Sequence, residues 1–500
     1  MSALCYDLVV VGGGINGVGI ARDAAGRGLS VLLVEQDDLA AHTSSASSKL
    51  IHGGLRYLEY GEFGLVRKAL QERERLLAAA PHIIWPLRFV MPHDADQRPA
   101  WMIRAGLFLY DHLARRERLP GSEGVDLRCH PAGAALRPGV RRGFVYSDAW
   151  AQDARLVVLN AMDAQLRGAR IATRTALVAA RRGPEAWSLD LRTAPERRQT
   201  VQARALVNAA GPWVGSLLGD VLGLRAAHAV RLVKGSHIVV PRLFDHAFAY
   251  LFQNPDRRVL FAIPFEEFFT LIGTTDVEET GNPAAAAITP PEVDYLCRMA
   301  SRYFARPVTA ADVLWSFAGV RPLLDDSAQS AASITRDYTL ELDHDAAPVL
   351  SVFGGKLTTY RKLAEQAVER VMPLLGRTAR AWTAGATLPG GDFADGDFDA
   401  FLAQVRRRYG WLPADMAYRL ARNYGTCIDR ILDGAHHLAG MGEAVLPGLC
   451  AAEVRYLVHN EFARTAEDIL WRRTKLGLVA PPGSAARLQA WLDRAGLACD

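Results

Sequence analysis

The run YDLVVVGGGINGVGIARDAAGRGLSVLLVEQ, residues 6–36, holds a strand, a glycine turn, a helix and a second strand in that order. Leu8 to Val11 form a short apolar stretch suited to a buried parallel strand, Ile20 to Ala25 are helix formers, and Gly28 stops the helix before the next apolar run. Gly12, Gly14 and Gly17 make a GxGxxG turn, with Ile15 and Asn16 between the last two glycines. Where side chains are missing, backbone can approach a pyrophosphate at the positive start of a helix. Glu35 closes the second strand, about 20 residues on, where a carboxylate accepts hydrogen bonds from ribose hydroxyls. A lone GxGxxG says little. With strand, helix, second strand and acidic end in register, the segment reads as a dinucleotide unit for NAD or FAD.

The 500 residues are enough for roughly three domains, and 50% hydrophobic with 22% charged residues describes a chain folded throughout. A net charge of +4 is mild, short of the like-charge blocks of nucleic-acid arms, though compatible with a basic face toward anionic lipid or an anionic substrate. The six cysteines lie far apart with no CxxC pair, which argues against a zinc site or a disulfide framework and for a reducing compartment. No signal-peptide pattern opens the chain, and no uncharged apolar run reaches the ~18 residues of a spanning helix, so any membrane contact is expected from one side.

Two later segments echo the first. ARALVNAAGPWVG (203–215) is an apolar strand running into the small-residue turn Ala210-Gly211-Pro212, able to approach the same dinucleotide from its other side. FGGKLTTYRKLAEQAVERVM (353–372) leads from Gly354 and Gly355 into an amphipathic helix, whose free N–H groups would stabilise negative charge on a reduced flavin. Each alone is also an ordinary strand-turn or glycine-led helix.

Together with TSSASSKLIHGGLRYLE, RLVKGSHIVVPR, IGTTDVE, AGVRPLLDD, ITRDYTL and LWRRTKLGL, these segments closely resemble the FAD-dependent, quinone-linked glycerol-3-phosphate dehydrogenases, in order and over nearly the whole chain. The fit is loosest from about 375 to 460. The resemblance implies FAD rather than NAD, and oxidation of sn-glycerol 3-phosphate at C2 to dihydroxyacetone phosphate, with hydride passing to flavin N5 and electrons to ubiquinone. It implies that Thr43, Ser44, Ser45, Ser48, Lys49 and Leu50 run beneath the flavin, that His52, Gly53 and Gly54 pass close to its ring, and that Leu177, Val178, Leu357 and Thr358 complete the cofactor site. Arg56, Tyr57, Thr274 and Arg336 are expected to hold the phosphate, since arginine gives a dianion permanently charged bidentate donors. Arg321 and Lys356 are expected to stabilise the developing alkoxide and the reduced flavin. His237, in KGSHIVV, is the candidate base because an unperturbed imidazole titrates near neutrality.

The expected fold class is α/β, with a Rossmann-like FAD domain of the glutathione-reductase and D-amino-acid-oxidase kind. That domain is read as discontinuous (1–75, 145–230 and 320–375), with an antiparallel-sheet substrate domain at 76–144 and 231–319 and a helical domain at 385–500. Period-two patterning in KGSHIVVPRL, RVLFAIPF and FFTLIGTTD carries the sheet, and Thr465 with Asp468 resembles a capping box opening a late helix. RPAWMIRAGLFLYDHLARRER (98–118) places Met102, Ala105, Leu109 and Leu113 at helical spacing among arginines, as an interfacial helix requires. The family pattern implies a cytoplasmic enzyme attached peripherally to the inner membrane, leaves a homodimer open, and gives nucleic acid no part. A glycerol-3-phosphate oxidase, with oxygen as acceptor, would carry much the same motifs.

Overall fold

A computed structural model describes residues 4–94, 97–194, 197–226, 228–256, 258–324 and 337–498. The opening strand Cys5–Val11 runs parallel to Val31–Val34 on one side and to Arg197–Asn208 on the other. The parallel sheet continues through Val349–Phe353 and, past Val31–Val34, to Arg170–Ala172. Thr339–Asp343 closes one edge antiparallel, and the antiparallel pair Ala176–Arg182 and Trp187–Ala194 extends from Arg197–Asn208. Alternation explains why the run 8–11 is apolar at every position. Leu8 and Val10 enter a core shared with the helices Ile15–Gly26, Asp153–Leu166 and Tyr360–Val371, whereas Val9 enters a second core built around Trp187, Leu189 and Leu191.

Among the described residues the second sheet holds ten strands, with Val230–Pro241 paired to both Phe269–Gly273 and Trp315–Leu324. The three segments with period-two patterning form neighbouring antiparallel strands, as expected. One pair departs from the expected antiparallel sheet: Ala249–Gln253 lies parallel to Ile84–His93, because the chain reaches them from opposite ends of a long excursion rather than through a hairpin. The boundaries expected near 145 and 320 fall inside strands of this sheet, Arg142–Ala151 and Trp315–Leu324. Leu50–Ile51 pairs with Trp150 and Ala149, so the serine-rich segment bridges the two sheets.

After residue 397 the chain is mainly helical, with Phe398–Arg408, Ala414–Tyr424, Ala451–Asn460 and Ser484–Arg494 around one short hairpin, Ala444–Leu446 with Leu449–Cys450. Buried charge joins this unit to the first sheet's helices. Arg155 binds Glu461 through both guanidinium nitrogens and donates to the carbonyl of Asn423 at 2.7 Å. Arg473, the last residue of the helical segment Asp468–Arg473 that Thr465 and Asp468 open, grips Asp38 at 2.7 and 2.8 Å. The capping expectation holds: the Asp468 amide donates to Thr465 Oγ1 at 3.2 Å, and Asp468 Oδ2 accepts from the Thr465 amide at 3.0 Å. No helix among the described residues is long and apolar enough to cross a membrane.

Burial raises the Asp468 carboxyl, but Arg473, Arg174 and Arg472 outweigh it and bring it down to about 2. A carboxyl depressed in the folded state stabilises above its unfolded pKa, about 4, and that contribution is lost as pH falls toward 2. Asp468→Asn should therefore lower the urea midpoint at pH 7 and flatten its fall between pH 5 and pH 2. An unchanged acid limb in the variant would mean that Asp468 does not drive it.

Candidate active site

One cavity of about 550 Å³ lies where the first sheet meets the second. At one end it is walled by Gly12, Gly14, Ile15, Asn16, Glu35, Ser216 and Asp220, and at the other by Arg56, Tyr57, Thr274, Arg321 and Lys356. The glycine turn follows from close approach: a Cβ on Gly12, whose φ is +116°, would stand 2.4 Å from the carbonyl oxygen of Ala209. The helix it opens has no side-chain cap at Gly14, and the Ile15 amide donates to Ser44 Oγ at 3.0 Å. Glu35 is buried, its two oxygens accepting the Gly13 and Asp37 amides at 2.6 and 2.8 Å. Burial pushes its carboxyl up while those amides pull it back.

The serine-rich segment lies along the cavity. Thr43, Ser44, Ser48, Leu50, His52 and Gly54 line it, facing Ala210 and Gly211 from the second turn, Leu177, and the stretch Gly354, Gly355, Lys356, Leu357 and Thr358. Thr43 Oγ1 donates to the Val320 carbonyl at 2.6 Å, and the His52 amide donates to Thr358 Oγ1 at 3.2 Å, so three distant segments are tied at the wall. Gly17, Ser45, Lys49, Gly53 and Val178 stand behind the lining. Ser45 Oγ turns back to the His42 carbonyl at 3.3 Å, and the Lys49 ammonium points into the protein, where Asp153 neutralises it at 2.9 Å. A buried lysine needs such a partner, and this one directs its ammonium to Asp153 behind the cavity wall.

At the other end, Arg321 donates to Asp276 Oδ1 at 2.6 Å and to Thr274 Oγ1 at 2.9 Å. A Cβ on Gly235 would stand 2.2 Å from its guanidinium, so the neighbouring strand has to be bare there. The Lys356 ammonium lies 3.8 Å from the Tyr57 ring centroid, a cation–π contact that brings these two cavity residues together. Arg336 lies outside the described residues.

His237 is a correction. It does not line the cavity but sits behind it, 2% exposed, with Nε2 2.9 Å from Ser48 Oγ and its ring stacked on Phe317. Burial first, then the charges of Arg321 and Lys49, holds its pKa well below the ordinary imidazole value. The imidazole in the wall near Arg56 and Tyr57 is His52. Sequence reasoning also missed Asp276, two residues beyond Thr274 in IGTTDVE, and Asp148, which looks like any strand residue in YSDAW.

The donor set suits FAD: the bare glycine turn and the helix start it opens for a pyrophosphate, Glu35 for a ribose, and the Lys356–Thr358 stretch beside a ring. Fold and site define an FAD-dependent oxidoreductase. The family model described as FAD dependent oxidoreductase matches residues 7–361, and that of the C-terminal domain of alpha-glycerophosphate oxidase matches 381–494. The chain is 55% identical to a glycerol-3-phosphate dehydrogenase of Pseudomonas aeruginosa (98% of this chain, 95% of the relative). It is 49% identical to a D-erythritol 1-phosphate dehydrogenase of Brucella abortus, covering 98% of each. A Bacillus halodurans glycerol-3-phosphate dehydrogenase solved with FAD superimposes with a TM-score of 0.77 at 27% identity, over 98% of this chain and 94% of that one. The chain belongs to the FAD-dependent glycerol-3-phosphate dehydrogenase family.

Because Glu35 is held in the wall by two backbone amides, Glu35→Ala should lower FAD retention through gel filtration and restore the holoprotein in excess cofactor. Full flavin occupancy and unchanged affinity in the variant would remove Glu35 from the site.

Proposed function

We propose that the chain oxidises sn-glycerol 3-phosphate at C2 to dihydroxyacetone phosphate and delivers the electrons to ubiquinone. The observation that carries this reading is the convergence of Arg56, Arg321 and Lys356, with Tyr57 and Thr274, in the same cavity as the dinucleotide turn. FAD, when bound, supplies the hydride acceptor at N5. The residues around it supply the rest. Arg56, Tyr57 and Thr274 hold the phosphate dianion, joined by Arg336 as the family pattern implies. Arg321, kept in place by Asp276 and Thr274, stabilises negative charge as the C2 hydroxyl loses its proton. Lys356 adds positive charge across from Tyr57. The proton itself goes to His52, whose place in the wall favours it over His237 as the base.

The experiment that tests this reading measures product and acceptor together. Turnover of sn-glycerol 3-phosphate with a soluble ubiquinone analogue should give dihydroxyacetone phosphate, with little peroxide in air. Peroxide in step with product would make oxygen the acceptor, and a higher kcat/KM for D-erythritol 1-phosphate would move the substrate to the four-carbon polyol of the Brucella relative.

We also read the helix Ala100–His112 as the contact with an anionic membrane surface. Trp101 and Phe108 are 70% and 59% exposed and share a face with Ala105, Leu109 and Met102, while Leu107 and Tyr110 point inward. Arg116 and Arg118 are tied back, to Asp111 and to the Asp395 carbonyl, whereas Arg115 is 88% exposed and paired only loosely with the exposed Glu117 at 3.8 Å. Trp101→Ser with Phe108→Ser should abolish sedimentation with anionic vesicles, and Arg115→Gln should only lower the salt at which release occurs. Unaltered binding of the double variant would exclude this helix as the anchor.

A further inference from the structure

The turn that carries His52 is fastened by Asp148, which reaches the cavity wall, and by Tyr110 and Arg73 behind it, groups the reaction does not otherwise use. The Gly53 amide donates to Tyr110 Oη at 2.8 Å and to Asp148 Oδ1 at 3.2 Å. Tyr110 Oη in turn donates to the same Asp148 oxygen at 2.7 Å, and Arg73 Nη1 donates to it at 2.8 Å. Asp148, Tyr110 and Arg73 are 3%, 2% and 1% exposed. Such a carboxylate is expensive to bury, and three converging donors with one compensating guanidinium are what makes it tolerable. Burial raises its pKa, and Arg73 is the first of the groups that oppose the rise.

The contact is too close for any side chain at residue 53. A Cβ there would stand 2.5 Å from Leu70 Cδ2 and 2.6 Å from Tyr110 Oη. On the other side, Thr358 Oγ1 accepts from the His52 amide at 3.2 Å. His52 is therefore pinned through its own peptide on one side and through the next residue's on the other.

We propose that Asp148, with Tyr110 and Arg73, is a buried anchor that positions His52 for proton removal. It rests on the reading of His52 as the base, and it makes Asp148 and Tyr110 positioning residues that act through the turn. A displacement of well under 1 Å at a base is enough to slow proton transfer, while the phosphate end of the substrate, held by other side chains, hardly feels it.

The test is flavin reduction by stopped flow in holoenzyme carrying Asp148→Asn, Tyr110→Phe, His52→Ala or the Asp148→Asn/His52→Ala pair. Asp148→Asn and Tyr110→Phe should each slow reduction about tenfold while apparent substrate affinity and FAD content stay within about twofold. In the His52→Ala background, Asp148→Asn should change the rate by less than about twofold, because a positioning residue has nothing left to position. Equal loss in both backgrounds, or a His52→Ala enzyme as fast as wild type, would overturn the anchor. Should Asp148→Asn fail to fold, Tyr110→Phe, which removes one oxygen, completes the same cycle. The cycle is run with whichever phosphorylated polyol reduces the wild type, so a wild type that ignores sn-glycerol 3-phosphate but responds to D-erythritol 1-phosphate would overturn the substrate reading alone.

Discussion

The ion pair between Lys49 and Asp153 is the constraint on which the site depends. Both side chains are 1% exposed, and the Lys49 ammonium reaches both carboxylate oxygens at 2.9 Å and the Ser45 carbonyl at 2.9 Å. Ser47 Oγ adds a 2.7 Å bond to the same carboxylate. Asp153 opens the helix that packs on the glycine-turn helix, so the pair fastens the serine-rich segment to the dinucleotide fold at its midpoint. From there the chain enters the second sheet at Leu50 and turns into the cavity at His52. Removing either partner leaves an uncompensated buried charge, a loss on the order of 3–5 kcal/mol, and frees the segment that forms one wall of the site.

Charge is arranged differently at the two ends of the cavity. Toward Glu35 the donors are backbone amides, fixed in direction by the turn and helix start, which suit a cofactor that stays bound. Toward Arg321 and Lys356 they are basic side chains, partly exposed, each held by a neighbour: Asp276 and Thr274 for one, the Tyr57 ring for the other. Side chains held in this way can meet an anionic substrate and still need little reorganisation when charge develops at its carbon. The charged end draws on both sheets, with Arg321 on a strand of the second and Lys356 just after a strand of the first.

How much of this could be read from the residues depends on range. The dinucleotide unit is local, with every element inside 31 consecutive residues and each announced by periodicity or glycine, and its strands pair as its pattern requires. Three strands of the second sheet, Val230–Pro241, Val259–Phe265 and Phe269–Gly273, were legible from alternation, but the parallel pairing of Ala249–Gln253 with Ile84–His93 was not, since nothing near either strand encodes the other. The buried pairing of Lys49 was not legible because its partner Asp153 lies 104 residues away. His237 looked like a base for the same reason: a strand sequence gives the face a side chain occupies but not what covers that face, here Ser48 and Phe317. Asp148 carried no signal at all. Its meaning comes from Arg73, Tyr110 and Gly53, brought together from a helix, a second helix and a turn.

The central claim is that one cavity brings a phosphorylated polyol against the flavin through its charged end. Anaerobic mixing of the holoprotein with sn-glycerol 3-phosphate, followed at the flavin's visible absorbance, tests it most directly. sn-Glycerol 3-phosphate should bleach the flavin saturably, and the same concentration of glycerol should leave it oxidised. A flavin that stays oxidised with both, or bleaches equally with both, would contradict it.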